Sequence, residues 1–478
     1  MMVQSWHIKY CYSGYKIHNT YYRFRSIDRL LGKDNELEEQ TIFFASPEEL
    51  NDPMEGFRNI FFSGDTIVWK NLFRHYLLCL EQVSQLLIIS GEEHYTILDK
   101  DIPVFKTYND FETKEYEQLF ENISTEFFEI CQEFIEKVST RTTAISSNEL
   151  NMYLSSVHHI AIEIIEENFV KKNFIPERAT PYSFDTGIME QTTKMIDAVE
   201  KMILENDHDD KIEEIFRIQK MITDDIKLTR NINQNFIFDF PNRNFVLIDF
   251  VEKYINGLEI LLYPKWYTSC FMTESHNSSV WGHYGDSHQG VCLIFEADQN
   301  NLLNLNGMDS STNRKFEFKP VEYENEFIGI DFFSLLGRLP VPKLLSTWYQ
   351  GDNKTISQCA DGILNNTDSW RKNYWNIFHR DILTKTKDWK YENEYRLILS
   401  SIFEDETTVE QRMKTYNFNS LKGLIFGIKT SLEDKAKIFE IIKKKCNSHQ
   451  RNDFKFYQAY YCHKKKNIQH QKIGFLTK

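Results

Sequence analysis

The spacing of apolar residues changes twice along this chain, and no other feature limits its architecture as much. From about residue 66 to residue 262 they recur every three or four positions, as in Phe120, Ile123, Phe127, Ile130 and Phe134, with Glu and Gln between them. Ile160, Ile164 and Ile165 repeat the pattern, as do Ile215, Ile218, Ile222 and Ile226. This is the spacing of amphipathic helices, and such stripes are expected to form core. On both sides the pattern reverts to short strand-like runs closed by turns. Tyr21 to Arg25 and Thr41 to Phe44 read as strands before the helical stretch. WYTSCFM, GVCLIFEA, FKPVEYEN, WKYENEYRLILS and LKGLIFGI read as strands after it. The segments 20–60, 263–300 and 385–430 each have too few strands to bury a face alone, so they are expected to pair in one sheet or split sheet. The expectation is an α+β fold, with a mixed or split β-sheet domain built from residues 1–65 and 263–478. A large all-helical insertion, residues 66–262, interrupts it.

Within the strand-bearing parts, Ser26 is placed to cap a short helix through Leu31, with Gly32 ending it. Lys343 to Arg380 reads as helical around a loop near Gly351, and Leu432 to Lys445 as a last helix.

Composition narrows the class. The hydrophobic fraction of 41% and charged fraction of 26% belong to a globular chain with a real core. A net charge of −14 does not suit a general nucleic-acid coat, which needs clustered Lys and Arg against phosphate. Lys443 to Lys445 and Lys464 to Lys466 are local exceptions, read as a solvated helix end and a loose terminus. The cysteines form no CxxC pair, so neither a zinc knuckle nor a disulfide framework is indicated. The first residues lack the apolar stretch of a signal peptide, and no apolar run approaches membrane-spanning length. The chain therefore reads as cytosolic, with no membrane partner.

Four segments carry residues suited to chemistry. In Tyr22 to Ser26, alternation puts Arg23 and Arg25 on one strand face, where two guanidiniums can grip an anion. Asn51 to Gly56, N-D-P-M-E-G, reads as a stiff turn with the Asn51 side chain free to bond backbone. Trp281 to Gly290 gathers Trp281, His283, Tyr284, Asp286, His288 and three glycines. Gly allows close backbone approach to a ligand, and the aromatics can stack on a flat ring. His276, His283 and His288 are possible metal ligands, but no HxH or HExxH spacing joins them, and no metal is assigned. Trp389 to Arg396 reads as a strand with Glu392, Glu394 and Arg396 on one face. Paired carboxylates there can act as base and as cation stabiliser. A cross-strand Glu–Arg pair is the structural alternative.

In this order the four segments resemble a bacterial family known as domain of unknown function twenty-nine seventy-one. The matching pieces are YYRFRS, ASPEELNDPMEG, CFMTESHNSSVWGHYGDSHQGVCLIF, KTKDWKYENEYRLIL and LKGLIFGIKTS. Met54 stands where the family has Phe, and Gly285 where it has Ala. The helical middle lies outside the resemblance. The family's frequent place among defence genes implies an antiphage or toxin effector.

A second resemblance is to ADP-ribosyltransferases, in the order of an Arg strand, an aromatic-rich strand and a late ExE strand. It implies NAD as substrate. Glu394 would be the catalytic carboxylate stabilising an oxocarbenium ion, and Glu392 would orient the substrate. Arg25 would hold a phosphate, and Tyr284 or Trp281 would stack on nicotinamide. The implied NAD-binding set is Arg25, Ser26, Asn51, Trp281, His283, Tyr284, His288 and Arg396. The competing readings are a metal-dependent nuclease built on the same histidines and acids, and a non-catalytic nucleotide sensor. In the sensor reading the helical insertion binds a protein partner. The sequence identifies no macromolecular target.

Overall fold

The computed structural model describes residues 18–108, 110–177, 184–205, 209–232, 240–308, 313–324, 326–400 and 408–474. Chain contacts divide the protein into two compact units. One comprises Met1–Phe57, Lys265–Phe327 and His379–Lys478, and the other Arg58–Pro264 and Ile328–Phe378. The sequence reading drew the helical boundaries at 66 and 262, and left 328–378 with the strands. No helix among the described residues is long and apolar enough to cross a membrane.

The first unit is α+β, and residues from both chain ends share its main sheet. Its strands are β1 (Thr20–Arg25), β2 (Trp266–Met272), β3 (Val291–Glu296), β4 (Lys319–Pro320), β5 (Glu394–Ser400), β6 (Leu421–Phe426), β7 (Lys455–Cys462) and β8 (Asn467–Lys472). They lie in the order β8-β7-β6-β3-β1-β2-β5-β4. The β6–β7 pair is parallel and the other pairs are antiparallel. β2, β3 and β6 are near-continuous apolar runs because both their faces are covered. On one face Phe271, Leu293, Phe295, Leu397 and Leu424 meet Ile438 and Ile442 of the helix Leu432–Ser448. On the other, Phe24, Met272, Cys292 and Ile425 pack with Val280 and Trp281. Adjacent residues of one strand, such as Phe271 and Met272, thus serve opposite cores.

The sheet is split at its centre. Every residue of β1 pairs with β3, and every residue of β5 with β2, but β1 and β2 share the single register pair Tyr22↔Met272. Beyond it they part, and a cavity opens. β1 leads into the helix Ile27–Leu31, where Ser26 Oγ accepts from the Arg29 N–H as the sequence predicts.

Gly290, just before β3, holds the rim of this split. A Cβ there would strike the carbonyl oxygen of Arg25 and sit 3.0 Å from that of Gly285. Neither is a flexible side-chain end. Gly290→Ala is expected to destabilise the first unit by about 1–3 kcal/mol, the usual cost of overpacking. Urea unfolding checks this, and a loss below about 0.5 kcal/mol would show that the strand yields.

Two parts of this unit differ from the sequence expectation. A second sheet, in the order Thr41–Phe43, Met413–Tyr416, Leu302–Gly307 and Asn313–Glu317, was not foreseen beyond its first strand. Lys464 to Lys466 are not a loose terminus. They form the turn of the β7–β8 hairpin, whose aromatic residues give it strand character.

The second unit is built mainly of helices, among them Thr66–Ser90, Lys114–Ile130, Ser147–Lys171, Gly187–Leu204, Asp209–Ile232 and Phe250–Leu262. Side chains of Asp65, Thr113 and Ser146 cap three of them. Phe120, Ile123, Phe127 and Phe134 are buried, as are Ile160, Ile164 and Ile165. The stripe in Asp209–Ile232 is a correction. Ile215, Ile218, Ile222 and Ile226 are 38–55% exposed, because the helix turns Phe216 inward instead. The unit also holds a small sheet of Asn59–Phe62, Ile145–Ser146 and Gly329–Asp331, so it is not purely helical.

Candidate functional site

The cavity at the split measures about 330 Å³ and belongs wholly to the first unit. β1 supplies Arg23 and Arg25, and β2 supplies Thr268, Ser269 and Cys270. Asn51 and Glu55 come from the N-D-P-M-E-G turn, and His283, Tyr284 and Asp286 from the end of the helix Ser278–His283 and the loop after it. That loop is strained. Asp286, Ser287 and His288 take successive positive φ values of 49°, 51° and 72°, where no residue is Gly. It is held by the Gly290 N–H on Gly285 O (2.8 Å) and the Lys429 N–H on His288 O (2.9 Å).

Arg23 is the least satisfied polar group of the wall. It is 2% exposed, its Nη2 reaches Phe43 O at 3.3 Å, and its Nε and Nη1 have no hydrogen-bond partner. The ring of Phe271 lies 5.6 Å from its guanidinium carbon. Ser269 Oγ, in the same wall, is also buried and unpartnered. Arg25 differs, because its Nε donates to Glu36 at 2.8 Å.

A buried ionic chain runs inward from Glu55, Tyr284 and Lys385 of the wall. Tyr284 Oη donates to Glu392 Oε1 at 2.7 Å. Lys385 Nζ donates to Glu392 Oε2 at 2.8 Å and to Glu394 Oε2 at 3.2 Å. Arg396 Nε donates to Glu394 Oε1 at 2.8 Å, and its Nη1 to Ile382 O at 2.8 Å and to Glu55 Oε2 at 3.0 Å. Arg396 Nη2 also donates to Glu55. Burial alone would raise the Glu394 carboxyl, but Arg396 and Lys385 overcome it and hold it at about 2. Burial pushes Glu392 up, opposed by Lys385 and helped by Glu394. Burial also pushes Glu55 up, opposed by Arg396 and helped by Glu394. Three carboxyls thus face two cations, an excess of one negative charge when all are ionised.

Arg25, Ser26, Asn51, His283 and Tyr284 are brought together in the cavity wall. Glu392 and Glu394 are not wall residues themselves: Glu392 meets Tyr284 and Lys385 of the wall, Glu394 meets Lys385 and Cys270, and Arg396 is fully buried as the anchor of Glu394. Trp281 is no stacking surface. It is 0% exposed, its indole N–H donates to Ser275 O at 2.8 Å, and its ring stands edge-on to Phe24. His288 lies outside the wall, its Nδ1 buried and unpartnered. The 389–396 segment is not one strand. Lys387–Glu392 forms a 3-10 turn, Asn393 is left-handed at φ 47°, and β5 begins at Glu394. The two carboxylates therefore meet through Lys385, not by alternation. In the N-D-P turn, Asp52 rather than Asn51 bonds backbone, accepting from the Met54 N–H at 2.9 Å.

Sequence reasoning missed Glu55 and Lys385, and it named Arg23 only as the neighbour of Arg25. The repeated strand parity of Arg23 and Arg25 was the available signal. Nothing local marked Lys385 among the lysines of KTKDWK. His276 stacks on His470 and bonds Ile468 O at 3.0 Å, so it does not join His283 and His288. Among the described residues no group of three or more His, Cys, Asp or Glu is placed to hold a metal ion.

Neither a curated protein nor a solved structure matches the chain. The resemblance carried by the W-G-H-Y-G-D-S-H-Q-G and W-K-Y-E-N-E-Y-R segments is borne out: residues 280–397, which contain both, match the family described as "Protein of unknown function (DUF2971)".

Proposed function

We propose that the split-sheet cavity binds a phosphorylated nucleotide, and that the unit is an ADP-ribosyltransferase-like enzyme using NAD. Arg23 carries this reading. A buried guanidinium with two unpartnered nitrogens is costly, and a phosphate oxygen is the acceptor that suits it. The cavity volume of about 330 Å³ lies within the range of small-molecule sites. Tyr284 and His283 offer ring surfaces in the wall, and Glu55 brings a carboxyl to it. Breaking the nicotinamide–ribose bond develops positive charge on the ribose. The Glu55–Arg396–Glu394–Lys385–Glu392 chain, net negative when its three carboxyls are ionised, supports that charge, with Glu55 in the cavity wall and Glu394 acting through Arg396 and Lys385.

Incubation of the full chain with NAD tests this, with free nicotinamide followed by chromatography and binding followed by thermal shift. The expected result is nicotinamide release that falls about 100-fold or more in Glu394→Gln while the variant stays folded. Binding of NAD without turnover would favour the sensor over the enzyme. Absence of binding by NAD, ADP-ribose and inorganic phosphate alike would overturn the site.

A further inference from the structure

The β7–β8 hairpin is charged unlike the rest of the chain. The whole sequence has 70 acidic and 56 basic residues. Yet residues 454–474 contain Lys455, Lys464, Lys465, Lys466 and Lys472, together with His463 and His470, and no Asp or Glu. Lys464, Lys465 and Lys466 are exposed, and among the described residues none of them is paired with a carboxylate. Lys465 Nζ reaches only Gln469 Oε1, at 3.1 Å.

The ribbon projects. β6 accompanies β7 only as far as Phe426↔Gln458, and from Ala459 to Cys462 the sole strand partner is β8. Ala459 and Ile468 root it in the core. Level with that root, Tyr460 and Tyr461, the latter opposite Ile468, are 43% and 47% exposed, with His463 edge-on to Tyr461 at 5.3 Å. Exposed rings next to unpaired lysines need explanation, because a merely solubilising turn has no use for two tyrosines.

We propose that this hairpin binds single-stranded nucleic acid, with Lys464, Lys465 and Lys466 on phosphates and Tyr461 stacking on a base. Single strands offer charge and open base faces together, whereas a duplex hides the faces. An anionic membrane would be met better by aliphatic tip residues, and this tip has none between Tyr461 and Asn467. The site is separate from the cavity and does not depend on the nucleotide reading.

Fluorescence anisotropy of the full chain with labelled oligouridine and oligothymidine of about 20 nucleotides tests it. Binding should weaken as salt rises. Replacing all three lysines by Glu (K464E, K465E, K466E) should weaken it about 10-fold or more and flatten the salt slope by about 2, at about 0.7 per phosphate lost. Tyr461→Ala should weaken it about 5-fold or more with the salt slope unchanged. All these positions are exposed, and circular dichroism will confirm that the variants fold. Three results would overturn the proposal: no binding to either strand, binding indifferent to Tyr461→Ala, or equal capture by duplex or by phosphatidylserine vesicles.

Discussion

Replacing Arg396 by Met is expected to lower the stability of the first unit by about 3–5 kcal/mol, read from urea unfolding. Arg396 is fully buried, and its guanidinium serves Glu55, Glu394 and the Ile382 carbonyl. Removing it leaves Glu55 and Glu394 buried with Lys385 as their only cation among the described residues. The cost comes from those uncompensated carboxylates more than from lost packing, since Met fills much of the same space. Adding Glu55→Gln and Glu394→Gln to Arg396→Met should therefore recover a large part of the loss. A loss below about 1 kcal/mol in the single variant would show that the chain of ion pairs does not organise this site.

Arg23→Met should behave in the opposite sense. Its Nε and Nη1 are buried without partners, so the free protein gains little from the charge and loses its desolvation cost. Stability of the unliganded variant is expected to be unchanged or higher. Affinity for NAD and ADP should fall about 30-fold or more, the usual effect of removing one partner of a buried charged contact. Calorimetric titration reads the second quantity and urea unfolding the first. A variant that loses about 2 kcal/mol of stability and keeps its affinity would reverse the assignment, making Arg23 a structural cation. Two buried arginines of one sheet, with β2 between their strands, are thus expected to differ in sign. Arg396 has its carboxylates within the fold, whereas Arg23 Nε and Nη1 have no partner there.

Local sequence predicted β1, its Ser26 cap, the apolar strands β2, β3 and β6, and the last long helix, because each is written in spacing and capping within a few residues. It failed where tertiary packing overrides local pattern. The alternation of W-K-Y-E-N-E-Y-R reads as strand throughout, yet left-handed Asn393 breaks it and sends Glu392 to Lys385. The isoleucines of Asp209–Ile232 have the spacing of a core stripe, yet that face is exposed, since spacing says which residues share a face and not whether another element covers it.

The same division holds for the site. The sequence by itself determined the chemical inventory: two arginines of one strand parity, an aromatic and histidine-rich loop, and a late pair of glutamates. It also pointed to one shared sheet for the strands of segments 20–60, 263–300 and 385–430, because each segment alone has too few strands to bury a face. Tertiary structure alone decided which charges were satisfied. Glu55, Lys385 and Arg396 lie far apart in the chain from Arg23, and only the fold gives Arg396 its carboxylates while leaving Arg23 without one. Burial and partnership depend on distances between strands, and residue order carries no direct record of those distances.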